Sequence, residues 1–124
     1  MPKINIKITL KTKEQTIENK YKAIFHPETN IIIYQEEDKT KTQFDLRNLR
    51  LRRENENLWL EYLFNEQEKT KGIIKIKELN QNLQVNIQTK KINQQNKNIE
   101  IEYQLEEESY KYKLEVIELS LIHI

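Results

Sequence analysis

No cysteine occurs in the 124 residues, which excludes disulfides, thiolate chemistry and cysteine-ligated zinc or iron-sulfur centres. Glycine is nearly absent too: Gly72 stands alone, and one glycine does not make a phosphate-cradling loop. No long apolar run is present. Met1 to Leu10 alternates isoleucine with lysine or asparagine, unlike a signal peptide or membrane span, so a cytoplasmic protein without a membrane partner is expected. Neither sign of charge dominates, since 21 basic and 20 acidic side chains leave a net charge of +1. That balance argues against a protein governed by non-specific attraction to nucleic acid or anionic lipid. The two histidines, His26 beside Pro27 and His123 near the end, form no metal motif, and no cofactor is expected. Ser109 and Ser120 lack a nucleophile motif, and the carboxylate runs Glu36–Glu37 and Glu106–Glu108 offer no assignable acid and base. A non-enzymatic role follows as the expectation.

What is present is lopsided. Isoleucine, lysine and asparagine number 18, 17 and 13, all residues of AT-rich codons, which points to a bacterium of low G+C content. Lysine richness is therefore weak evidence of function. The charged fraction of 33% borders on the composition of disordered chains, but isoleucine in ordered alternation opposes that reading. The length fits a single domain over residues 1–124.

Period-two alternation places successive side chains on opposite faces of a strand, and it runs almost from end to end. Ile4, Ile6, Ile8 and Leu10 define a first strand; Ile17, Asn19, Tyr21, Ala23 and Phe25 a second; Ile32, Tyr34 and Glu36 a third. Gln43 to Phe64 reads as a hairpin. Its first arm carries Phe44 and Leu46 in one phase and Leu49 and Leu51 in the other, which predicts a β-bulge near Arg47 and Asn48. Its second arm is Leu58, Leu60, Tyr62 and Phe64. Ile74, Ile76 and Leu79 form one arm and Leu83, Val85, Ile87 and Thr89 the other of a hairpin around Asn80 to Asn82. Lys90 to Asn98 reads as a long polar connection, followed by strands through Ile99 to Leu105 and Tyr110 to Val116. A slip from Val116 to Ile117, Leu119 and Leu121 predicts a second bulge. A helix over Asp45 to Phe64 fails at Arg53 and Asn57, which interrupt its stripe. The pattern is an all-β sandwich or barrel, and closure, which removes vulnerable edges, favours the barrel.

Tyr34, Gln35 and Glu36, then Leu51, Arg52 and Arg53 before a turn, then Phe64, Thr89 and the run from Ile99 to Leu105 resemble the YwiB-like family of small bacterial proteins. The resemblance spans most of the chain. It implies a single antiparallel calycin-like (lipocalin-like) β-barrel, here of about eight to nine strands, and brings no established activity. Asn55 stands where that family tends to carry glycine in the turn, and asparagine is the non-glycine residue best suited to positive φ.

The four arginines, Arg47, Arg50, Arg52 and Arg53, all fall in the hairpin. Extending the phase of Leu49 and Leu51 carries Arg53 to the lumen side, and Glu36 shares a phase with Ile32 and Tyr34. These phases predict an Arg53–Glu36 pair near a barrel mouth, with Tyr34 or Tyr62 completing a network that binds a small polar or anionic ligand. The plainer reading is a structural ion pair. The inward residues, among them Phe44, Phe64, Ile101 and Tyr103, are bulky, so a large lipid cavity is not expected. Arg47, Arg50 and Arg52 supply the alternative, a surface for RNA or a protein partner. Lys39 to Arg53 holds six cations against Asp45, a local charge of +5, though without aromatics for base stacking. Glu100 to Glu108 carries five glutamates, so the two patches also allow self-association.

Overall fold

The computed structural model describes residues 2–119. Ten strands run in sequence: β1 (Lys3–Lys11), β2 (Thr16–His26), β3 (Ile31–Gln35), β4 (Lys41–Asp45), β5 (Arg50–Glu54), β6 (Leu58–Leu63), β7 (Thr70–Ile76), β8 (Gln81–Gln95), β9 (Asn98–Leu105) and β10 (Glu108–Leu119). Each pairs antiparallel with its neighbour in sequence, and β1 pairs with β10 to close the barrel. Alternating β-branched residues make this possible. Isoleucines of one phase bury inside while lysine, glutamate and asparagine of the other stay wet. No helix of the described residues is long and apolar enough to cross a membrane.

The count of ten corrects the expected eight to nine, for one clear reason. The presumed bulge at Arg47 and Asn48 is a complete chain reversal between β4 and β5, with Phe44 opposite Leu51 and Asp45 opposite Arg50. A bulge and an even-membered turn flip the phase alike, so alternation does not separate them. Asp45 decides the matter. Its Oδ1 accepts the backbone amides of Arg47 at 3.0 Å and Asn48 at 2.9 Å, and its Oδ2 accepts Asn48 Nδ2 at 2.8 Å, an Asx turn. Leu49 closes it with φ of 57° and an amide bonded to Asp45 O.

Two true bulges exist among the described residues. Ile6 lies opposite Val116 and Asn5 opposite Glu118, leaving Ile117 as the extra residue, as the sequence predicts; Leu121 lies outside the described residues. The other was not foreseen: Thr89 faces Tyr103 and Lys91 faces Glu102, leaving Lys90 unpaired. Beyond it β8 continues to Gln95, which corrects the expected loop from Lys90 to Asn98. Backbone pairing to β9 holds this polar stretch, helped by Gln94 Nε2 donating to Leu46 O at 3.1 Å. The arm expected to reach Leu79 ends at Ile76.

Turns dispense with glycine. Positive φ falls on Asn30, Asn80 and Asn96, and on Lys39, Leu49 and Glu106, but not on Asn55. Asn55 instead uses its side chain, whose Oδ1 accepts the amides of Asn57 and Leu58 at 2.8 and 2.9 Å. Gly72 sits inside a strand, where an added Cβ would lie 2.6 Å from Tyr62 Cδ1 and 2.9 Å from Val85 Cγ2. The chain's one glycine makes room for a tyrosine ring.

Candidate functional site

The strand order lays one inward row across the sheet: Ala23 opposite Tyr34, Tyr34 opposite Thr42, Thr42 opposite Arg53, Arg53 opposite Leu60. Glu36 lies just past β3, where the turn to β4 returns its amide to Thr40 O at 2.8 Å. The carboxylate thus faces the guanidinium. Arg53 Nε donates to Glu36 Oε2 at 2.9 Å and a terminal nitrogen donates to Oε1 at 2.8 Å, the bidentate fork that a planar guanidinium favours. Thr42, fully buried, donates to the same Oε2 at 2.6 Å. Burial alone disfavours the charge on Arg53, yet the hydrogen bond and charge of Glu36 outweigh it, so the guanidinium pKa rises.

Around this pair the lumen opens into a cavity of about 320 Å³ at one end of the barrel. Tyr34, Glu36, Arg53 and Tyr62 all line it, together with Tyr21, Tyr103, Tyr110 and Tyr112 and an apolar wall that includes Ile8, Leu10, Ile17 and Leu105. Tyr34 and Tyr112 share a buried hydroxyl–hydroxyl bond of 3.1 Å. Rings stack in pairs: Tyr21 on Tyr34 with centroids 5.1 Å apart, and Tyr103 on Tyr110 at 5.5 Å. Burial pushes the phenols of Tyr34, Tyr103 and Tyr112 well above their ordinary range, and Tyr62 moves in the same direction for the same reason.

Three lining hydroxyls, those of Tyr21, Tyr62 and Tyr103, have no hydrogen-bond partner among the described residues, and two of them belong to buried rings. Tyr62 and Tyr103 are 9% and 5% exposed. No buried side-chain polar atom there lacks a partner, so both hydroxyls are open to the cavity rather than sealed in the core. Tyr103, Tyr110 and Tyr112 escaped the sequence reading as site residues because their alternation looks like ordinary core. The available signal was that inward positions toward one end of β9 and β10 carry tyrosine instead of isoleucine.

The other three arginines lie elsewhere. Arg50 and Arg52 are on the outer face of β5, and Arg47 is in the β4–β5 turn, donating to Glu28 O at 3.3 Å. Arg52 is held by Glu61, with its Nε at 3.0 Å and a terminal nitrogen at 2.6 Å from Oε2, and it approaches the Trp59 ring. Register brings in carboxylates that the linear count of +5 missed. Outward on β4 to β6, Lys41, Arg50 and Arg52 are matched by Asp45, Glu54 and Glu61, three of each sign. Of the glutamates between positions 100 and 108, Glu102 faces Lys111 and Lys91, and Glu100 faces Lys113. His26 ends β2, where its carbonyl accepts the Asn30 amide at 2.8 Å; His123 and Ser120 lie outside the described residues.

No family model matches the sequence, and no curated protein does either. The fold does have a counterpart, the crystal structure of the ywiB protein from Bacillus subtilis. It superposes with a TM-score of 0.62 over 93% of this chain and 90% of that one, at 14% identity. At that identity the likeness speaks for architecture alone: the chain has a YwiB-like fold.

Proposed function

We propose that the protein is a non-enzymatic binding module that takes a small polar ligand at the tyrosine-lined mouth of a calycin-type barrel. The observation that carries this reading is the cavity itself. It is about 320 Å³ in volume, within the range of small-molecule sites, and it combines an apolar wall with a few convergent polar groups. Tyr34, Glu36, Arg53 and Tyr62 form its polar side, with Tyr103 adding a free hydroxyl. A purely structural ion pair needs no open volume beside it. The alternative, RNA or a protein partner on the face bearing Arg47, Arg50 and Arg52, is weaker because neighbouring carboxylates balance that face.

The test is a two-dimensional amide NMR screen of small neutral, anionic and cationic compounds against the protein and a Leu105→Trp variant that fills the mouth. Binding at the site shifts amides of the lining residues in the native chain and not in the variant. Shifts confined to Arg47, Arg50 and Arg52 would instead favour the outer face, and a screen without any shift at the mouth would sink the ligand reading.

A further inference from the structure

The lining of the cavity specifies more than that something polar enters. Among the described residues, Arg53 is the only cation and Glu36 the only carboxylate in the lining, and the two are spent on each other in a bidentate pair that Thr42 completes. The lining pair is therefore neutral, and the further carboxylates nearby, Glu108 accepting from the Tyr110 hydroxyl at 2.8 Å and Glu37 and Asp38 acting on Tyr21, add only negative charge. An incoming carboxylate would gain a guanidinium already engaged while lying beside the Glu36 charge, and an incoming ammonium would meet the converse problem. Either ion would also lose water to a largely apolar wall. Burial in the same surroundings, which penalise a buried negative charge, pushes the phenols of Tyr34 and Tyr103 up.

The unspent groups are of another kind. Tyr62 and Tyr103 present hydroxyls from buried rings, each able to donate and accept, next to a wall of Ile8, Leu10, Ile17 and Leu105, and the half-buried Tyr21 hydroxyl and Asn19 carboxamide add neutral hydrogen-bonding groups. Ile17 is 42% exposed, a large apolar side chain left uncovered at the rim. Building on the mouth-binding reading, we infer that the cavity selects an uncharged amphipathic ligand. One hydrogen-bonding headgroup, an alcohol, amide or ketone, is held by Tyr62 and Tyr103, and an apolar body lies against the Ile8, Leu10, Ile17 and Leu105 wall.

A matched series of octan-1-ol, octanoate and octylamine at neutral pH separates charge from shape. Titrations followed by amide NMR should give octanol a Kd at least about tenfold below that of either ion. Tyr62→Phe and Tyr103→Phe remove one oxygen each and leave the rings in place, and each should weaken octanol about fivefold. Octanoate or octylamine binding at the cavity as tightly as octanol overturns charge selection while leaving mouth binding intact. Absence of octanol binding, or octanol binding unchanged in the Tyr62→Phe/Tyr103→Phe double variant, overturns the headgroup assignment.

Discussion

The two ends of the barrel solve the same problem differently. At one end Ile4, Ile32, Phe44, Leu46, Ile99 and Leu114 meet with no more than 2% of any side chain exposed. At the other, tyrosines and the Arg53–Glu36 pair surround open volume. Barrel width grows with strand number, and ten strands enclose more than eight do. Aliphatic side chains and phenylalanine can close such a lumen because they need no partner. Tyrosine hydroxyls cannot be sealed in that way without each finding a hydrogen bond. The difference teaches that the opening is a matter of side-chain chemistry, on one continuous sheet with one pairing pattern.

Alkali should expose the contrast most strongly. The lining phenols have folded pKa values above their unfolded value, so their contribution is complete below about pH 10 and is lost as pH rises through the folded values. Above about pH 10, phenolate absorbance and loss of β-sheet circular dichroism should therefore rise together. Phenolate formation in full at pH 10 with the fold intact would show that these rings are not buried as described. At the packed end, Phe44→Ala should cost about 3–5 kcal/mol in urea unfolding, and a cost below about 1 kcal/mol would remove the distinction between the ends. Arg53→Met leaves the Glu36 carboxylate without its fork. Side-chain exposures of 34% and 21% soften the penalty for a buried pair to about 1–3 kcal/mol. A stabilised variant would show that the pair costs more than it holds. Gly72→Ala should cost about 1–2 kcal/mol by overpacking and shift the Tyr62 ring resonances, whereas unshifted rings would mean Val85 alone yields. Smallest is Arg52→Ala on the outer face, at about 0.2–1 kcal/mol and weakening with salt.

Much of this was legible beforehand, and the failures have definite causes. Alternation located the inward positions, so phase put Arg53 and Glu36 on one face, and the register across β3, β4 and β5 makes them a pair. It misread Asp45 to Leu49 because a turn and a bulge invert phase equally; the Asp45 and Asn48 pair was the turn signal that separates them. The continuation of β8 past Lys90 was hidden by polar residues on both faces, where Ile92 is the lone apolar side chain. The basic patch was overstated because charge counted along the chain ignores what the next strand supplies, as Glu61 does for Arg52. The cavity left no linear trace, since vacant volume depends on strand number and on where each ring points.

Closure of the sheet through β1 and β10 also governs the order of assembly. Every other pairing joins neighbours in sequence and can form as a local hairpin, whereas Ile8 finds Leu114 only when nearly the whole chain is present. That long-range contact makes ring closure the slow, late event. During synthesis the isoleucine-rich edge of β1 stays unpaired until the last strand emerges, and in that interval the chain is most prone to associate with other copies.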